Sequence, residues 1–302
     1  MRTPCGARAR RLHRQSVVVE LLVDLFPVPQ AQVNGPPGGQ FAVGVALAGL
    51  AVLGVPGGAT SSANGALPAD QIVFMVDVGG GLIPPVVYAM ESPALVMYGD
   101  GRILSIVKDN TTGAVPARYE LSRVDPIAVA AFVSAVQERG IVNSAEDFGM
   151  PGVTDMDATT VLVHGEGAPA KVGVYAFYES FDKGLTVEQQ RARATLRQVI
   201  DAAYNLAAVG TRAPYTPDRI AVFDVGTESS SQSASTPWPG PPPADFLKPD
   251  PQGPAQACGF LTGAPATTVY KAALTNPGAL WLVDGAARVL AVNPLPVDVS
   301  CP

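Results

Sequence analysis

Histidine, cysteine and paired carboxylates carry most protein chemistry, and this chain offers them sparingly. It has two His, His13 and His164, and three Cys, Cys5, Cys258 and Cys301. His164 ends an apolar run just before Gly165, the place of a solvent-facing turn residue. A serine nucleophile of the hydrolase type would sit in Gly-x-Ser-x-Gly, which occurs nowhere in the chain. Beyond the amino-terminal segment one His and two Cys remain, too few for a His/Cys zinc site. No catalytic residue, metal ligand or cofactor-binding residue is therefore assigned, and no cofactor is expected.

The acidic residues give one short pattern. Asp155-Met156-Asp157-Ala158-Thr159 is similar to the D-x-D-x-T stretch of aspartyl-phosphate phosphatases, in which the first Asp attacks phosphorus beside Mg²⁺. There the stretch ends an apolar strand; here Phe148–Thr154 reads as a loop, and no Asp-Asp pair follows to complete a metal site. Weak Ca²⁺ binding through oxygen ligands is a second reading of the same residues. The expected role is an Asx-type turn leading into a strand at Thr159. With Glu146 and Asp147, Asp155 and Asp157 form the one acidic cluster on which a carboxylate-dependent hydrolase could draw. Gly79-Gly80-Gly81 follows a strand, but a phosphate loop needs Lys-Ser/Thr and a helix next, and Leu82-Ile83-Pro84-Pro85 supplies neither. Asn110-Thr111-Thr112 matches a glycosylation sequon.

The elements that must position these residues come from periodicity. Strands are expected at 72–78, 94–98, 102–107 and 117–123, the second and third joined as a hairpin by Gly99-Asp100-Gly101. Asp125-Pro126 opens a helix that Gly140 stops. A second hairpin spans 159–164 and 171–177. Thr186 and Gln189 form a capping box at the head of a longer helix to about Ala208. Its apolar stripe is Leu196, Val199, Ile200, Ala203 and Leu206, with Arg191, Arg193 and Arg197 outside it. Further strands are expected at 219–225, 280–284 and 287–292, with a short helix at 266–275. The implied fold class is α+β, a mainly antiparallel sheet with two helices packed on one face, plus a small disulfide-stapled carboxy-terminal unit.

Domain boundaries follow from composition. Residues 1–66 read as a leader, 67–225 as the α+β domain, 226–257 as a Ser/Pro-rich linker, and 258–302 as the small carboxy-terminal unit. Inside the leader, no Asp, Glu, Lys or Arg lies between Asp24 and Asp70, and residues 41–55 form an apolar run ended by Pro56-Gly57-Gly58. That run is short for a membrane span and right for a signal-peptide hydrophobic region, with cleavage expected between Ser61 and Ala66. The basic residues Arg2, Arg8, Arg10, Arg11 and Arg14 lie far upstream, with Glu20 and Asp24 intervening, which points to a translation start downstream of Met1. The alternative is retention of 41–55 as a short membrane anchor. Once the leader is removed, Cys258 and Cys301 remain as an even pair, the pattern of a disulfide in an oxidising compartment.

Composition narrows the partners. Gly (31) and Pro (29) together make about a fifth of the 302 residues, so connections are long. A net charge of −6 opposes nucleic acid or an anionic membrane surface as a main partner. An envelope protein or a small ligand is expected instead, with membrane contact only if 41–55 is uncleaved.

Val96-Met-Tyr-Gly-Asp-Gly-Arg102, Asp157-Ala-Thr-Thr160, the Ser/Pro stretch, Trp281 with Asp284-Gly285, and Asn293-Pro-Leu-Pro-Val-Asp298 before Cys301 give the chain a recognisable set of local patterns. Over about 70–302 it resembles secreted or envelope-associated proteins of GC-rich actinobacteria. The resemblance implies export and a disulfide and carries over no catalytic residues. The resulting expectation is a non-catalytic extracytoplasmic binding or interaction module. A secreted carboxylate-dependent hydrolase and a membrane-tethered envelope component are the alternatives.

Overall fold

Strand β1 (Ile72–Gly79) is an interior strand of a seven-stranded sheet, and its alternation decides what covers each face. In the computed structural model, residues 67–107, 115–226 and 235–302 are described, apart from Gln252, Pro254 and Asp298. The leader with its apolar run, the sequon at Asn110 and part of the Ser-rich stretch fall outside those residues. The fold class is α+β and the sheet is antiparallel throughout, in the order β6-β5-β1-β2-β3-β4-β7. The other strands are β2 (Leu95–Tyr98), β3 (Arg102–Ile106), β4 (Tyr119–Arg123), β5 (Ala158–Val163), β6 (Ala170–Tyr175) and β7 (Thr211–Pro214).

Two helices cover one face. In α2 (Pro126–Arg139), which follows the short α1 (Pro85–Met90), the Asp125 side chain accepts from the Ile127 amide, and Gly140 ends the helix in the left-handed region. In α3 (Val187–Val209) both hydrogen bonds of the Thr186–Gln189 capping box are present. Phe74 meets Phe132 of α2 edge to face, ring centroids 5.0 Å apart, and Leu196 and Val199 of α3 are fully buried. Met75 and Asp77 alternate with Phe74 and so point to the opposite face. On that face Met75 packs with Val96, Leu104, Tyr119 and Leu295.

A second sheet uses the remaining chain in the order β10-β11-β8-β13-β12-β9. Its strands are β8 (Arg219–Gly226), β9 (Ser235–Pro237), β10 (Lys248–Pro249), β11 (Ala257–Thr262), β12 (Leu280–Val283) and β13 (Ala286–Asn293). All pairs are antiparallel except β9 with β12. One face is packed by α5 (Gly263–Thr275) through Ala266, Val269, Tyr270 and Ala273. The other face meets Ala89 and Met90 of α1.

Two boundaries differ from the sequence reading. Residues 219–225, assigned to the first domain, belong to β8, the strand between β11 and β13 in the second sheet. Within the stretch read as linker, β9 and β10 are strands of that sheet, and α4 (Pro243–Phe246) lies between them in the chain. The Trp238 ring lies edge-on to Trp281 at 5.5 Å, and its indole N–H donates to the Pro241 carbonyl at 2.8 Å. Prolines have little conformational freedom to lose, so two tryptophans suffice to seat a run that composition marks as unstructured.

The segment after β13 joins the sheets. Leu295 and Val297 pack on the first sheet, whereas Val299 and Cys301 pack on the second. Cys301 lies at disulfide distance from the fully buried Cys258 on β11, the Cα atoms 5.4 Å apart. No described helix is long and apolar enough to cross a membrane.

Candidate functional site

The acidic residues at 146–157 lie in the irregular stretch that leads into β5. Asp147 accepts from the Gly149 amide at 2.8 Å and from the Gln189 side chain at 2.9 Å, which ties its loop to the first turn of α3. These two donors hold its carboxyl below the ordinary range. Asp155 takes a left-handed backbone (φ 59°), and Glu146 donates its amide to the Asn143 carbonyl. Asp157 stands apart from them, accepting from the Tyr178 hydroxyl at 2.7 Å. His164 donates its backbone N–H to the Val73 carbonyl at 2.8 Å, continuing the β1–β5 ladder. Among the described residues no group of three or more His, Cys, Asp or Glu could hold a metal ion.

One expected surface residue is buried. Arg193 on α3 is 0% exposed, against the sequence reading that placed it outside the apolar stripe. Its guanidinium donates to Asp182 at 2.7 Å, to the Phe148 carbonyl at 3.2 Å and to the Tyr175 and Ala176 carbonyls. Arg197 adds two hydrogen bonds to Asp182 at 2.7 and 2.8 Å, with its guanidinium 4.8 Å from the Phe177 ring centre. The helix thus gathers the 148, 175–177 and 182 loops onto two fork-shaped cations, whose planar donors suit several carbonyls at once.

One cavity able to take a ligand lies where the two sheets meet. A cavity of about 210 Å³ is lined by Asp77, Tyr88, Ala89, Glu91, Pro93, Phe223, Asn293, Leu295, Val297 and Val299. Its walls come from β1, α1 and the turn after it, β8, the end of β13 and the stapled tail. A smaller cavity of about 90 Å³ beside Trp281, Met90 and Leu290 has room for about three waters.

The floor of the larger cavity is a hydrogen-bonded node. Asn293 is 2% exposed; its Oδ1 accepts from the Ser92 hydroxyl at 2.8 Å and from the Leu295 amide at 3.0 Å, while its Nδ2 donates to the Glu91 carbonyl at 2.6 Å. The Tyr119 hydroxyl donates to the Pro93 carbonyl close by. The Glu91 carboxylate accepts from the Gly80 amide at 3.1 Å. The left-handed backbone of Gly80 and Gly81, with φ of 87° and 79°, favours glycine here, and a Cβ on Gly79 would stand 2.8 Å from Glu91 Oε2 and push that carboxylate aside. Gly79-Gly80-Gly81 therefore seats a carboxylate from its own chain. Partial burial raises the Glu91 carboxyl above its ordinary value, Gly80 opposes this, and the charges of Asp77 and Asp157 raise it further.

Sequence reasoning missed Asp77, Glu91 and Asn293. Asp77 carried a usable signal, being an acid at the inward parity of an otherwise apolar strand, two residues past Met75. Glu91 and Asn293 carried none, because their meeting depends on two sheets packing through a tail. Comparison with family models, with characterised proteins and with solved structures returns no match for this chain.

Proposed function

We propose that the chain is an exported, non-catalytic binding module that takes a small ligand in the cavity between its sheets. The observation that carries this reading is the cavity itself, about 210 Å³ with mixed polar and apolar walls drawn from four distant stretches of chain. Two further features support it. The Cys258–Cys301 pair fits an oxidising compartment and fastens the tail that forms one wall. The apolar run at 41–55 fits an export signal. The test is the intact mass of the protein recovered outside the cytoplasm, alkylated before and after reduction, followed by chemical-shift mapping of a fragment library. A mature start near residues 62–67, two thiols alkylated only after reduction, and shifts confined to residues 77–93, 223 and 293–299 are the expected results. Free thiols, or a retained leader in a cytoplasmic protein, defeat export; shifts elsewhere defeat the site.

A carboxylate-dependent hydrolase remains the second reading, and a specific observation moves it away from the 146–157 loop. Glu91, whose carboxyl is raised by partial burial and by the charges of Asp77 and Asp157, has the character of a general acid. Turnover of a glycan panel that Glu91→Gln abolishes would favour it over simple binding.

A further inference from the structure

We infer that the Cys258–Cys301 bridge is a thiol-exchange latch on the inter-sheet cavity: a small external dithiol attacks Cys301, and the freed tail uncovers the space it walls; this rests on the reading of that cavity as the binding site. The tail is built as a strap. Residues 294–297 and 299–302 carry no helix or strand, yet Leu295, Val297 and Val299 are three of the ten residues lining the cavity.

The strap is pinned at two points of different chemistry. At its start Asn293 holds the Leu295 amide, the Glu91 carbonyl and the Ser92 hydroxyl, and the Val297 amide reaches back to the Leu295 carbonyl. At its far end Val299 and Cys301 rest on the apolar cluster of Ala89, Met90, Phe223 and Ala291, with the sulfur bridge as the covalent hold. A few apolar contacts on an irregular segment open locally at low cost, so the bridge decides whether this end stays down. Cys258 does not follow the strap, because β11 fixes it opposite Phe223, itself a cavity wall. Freed at Cys301, the six residues from Pro296 span up to about 20 Å when extended, enough to clear the cavity.

The two sulfurs differ in reach. Cys258 is 0% exposed whereas Cys301 is half-buried, and exchange proceeds at the sulfur that a thiolate can approach. One thiolate of the dithiol bonds to the Cys301 sulfur, the Cys258–Cys301 bond breaks, and its electron pair leaves on Cys258, which takes a proton from water. The second thiolate of the reagent then attacks the reagent's own sulfur in the mixed disulfide. That step releases Cys301 as a thiol and the reagent as a cyclic disulfide. The protein gains two electrons and two protons, and the dithiol loses them. An oxidising compartment keeps the strap down, and a reducing one lets it lift.

The experiment uses the exported chain with the bridge formed and a neutral gadolinium chelate in the buffer, which speeds proton relaxation wherever solvent comes close. Relaxation is compared for the native, dithiothreitol-reduced and Cys301→Ser proteins. The expected result is at least a threefold rise at Ala89, Phe223, Val297 and Val299 in both bridge-free forms, with Val161 and Leu196 unchanged. No rise at the cavity residues overturns the latch. An equal rise at Val161 and Leu196, both fully buried in β5 and α3, also overturns it, because the whole fold has then loosened. Reduction of the folded native chain gives the answer even where Cys301→Ser does not fold. A brief glutathione pulse, quenched in acid and mapped by peptide mass, should place the mixed disulfide on Cys301 at least tenfold more often than on Cys258; the reverse overturns the assigned point of attack. Fragments that bind a cavity unmoved by reduction defeat the latch alone, whereas a cavity that opens on reduction but takes no fragment defeats the binding reading and, with it, the control of access.

Discussion

Ser92 and Asn293 are 201 positions apart in the chain, yet the serine hydroxyl donates to the asparagine Oδ1 at 2.8 Å in the wall between the two sheets. The same Oδ1 accepts from Leu295, and the amide nitrogen reaches Glu91. One side chain therefore holds the turn after α1, the end of β13 and the start of the tail. Removing it strands the Leu295 N–H and the Glu91 carbonyl, while the Ser92 hydroxyl keeps the Met90 carbonyl at 3.2 Å. Asn293→Ala should cost about 3 kcal/mol, readable as a lowered denaturant midpoint. Asn293→Asp should not restore stability, because a carboxylate cannot donate to the Glu91 carbonyl.

Arg193 is the more severe case. With four acceptors on one buried guanidinium, Arg193→Ala should destabilise by about 3–5 kcal/mol. Arg193→Lys should recover little, since a point-like ammonium cannot span the Phe148, Tyr175 and Ala176 carbonyls and Asp182 together. Equilibrium urea unfolding of both variants distinguishes lost charge from lost geometry.

Asp182 should govern acid sensitivity on the same side of the molecule. Arg197 first, then Arg193, hold its carboxyl below the ordinary range in the folded protein. Its contribution is therefore complete above the unfolded-state value and is lost as pH falls through the folded one. Asp182→Asn should flatten the acid limb of the stability–pH curve and lower stability at neutral pH.

Glu91 should act in the opposite sense. Its folded-state carboxyl titrates above the unfolded value, so the protonated form is the one the fold prefers. Stability from this group is full below the unfolded value and declines as pH rises through the folded one. Glu91→Gln keeps an oxygen for the Gly80 amide and removes the charge. It should raise the thermal midpoint at pH 7 and leave it unchanged near about pH 4.

Reduction of the Cys258–Cys301 pair should cost about 4 kcal/mol in the chain-entropy model for a loop with 43 residues of separation. Cys301→Ser should reproduce that loss. In both cases the amides of Leu295 and Val297 should exchange with solvent faster than those of β1, which hydrogen exchange measures residue by residue.

Local features of the fold were legible, and distant ones were not. Alternation placed β1, β5 and β13, and the Asp125-Pro126 and Thr186/Gln189 signals placed both long helices, because each depends on residues within one turn. Arg193 was misread because a helical wheel knows nothing of the 148 and 175–182 loops that bring acceptors to it. β7 escaped notice because Thr211-Arg-Ala-Pro214 is exposed throughout and takes its conformation from pairing with β4. The Trp238–Pro243 stretch was misjudged because composition counts prolines as disorder, while a preset φ lowers the cost of seating them. For the candidate site, Asp77 was visible as an acid in an apolar strand. Glu91 and Asn293 belong together only once both sheets exist.

The placement of Leu295 and Val297 on the first sheet bears on the order of assembly. β1 to β7 are complete by residue 214, but the cluster of Met75, Val96 and Leu104 gains Leu295 and Val297 only once the stretch after β13 has been made. A chain made only as far as β7 still lacks Leu295 and Val297, so this part of the first sheet's packing follows the making of the second sheet's strands.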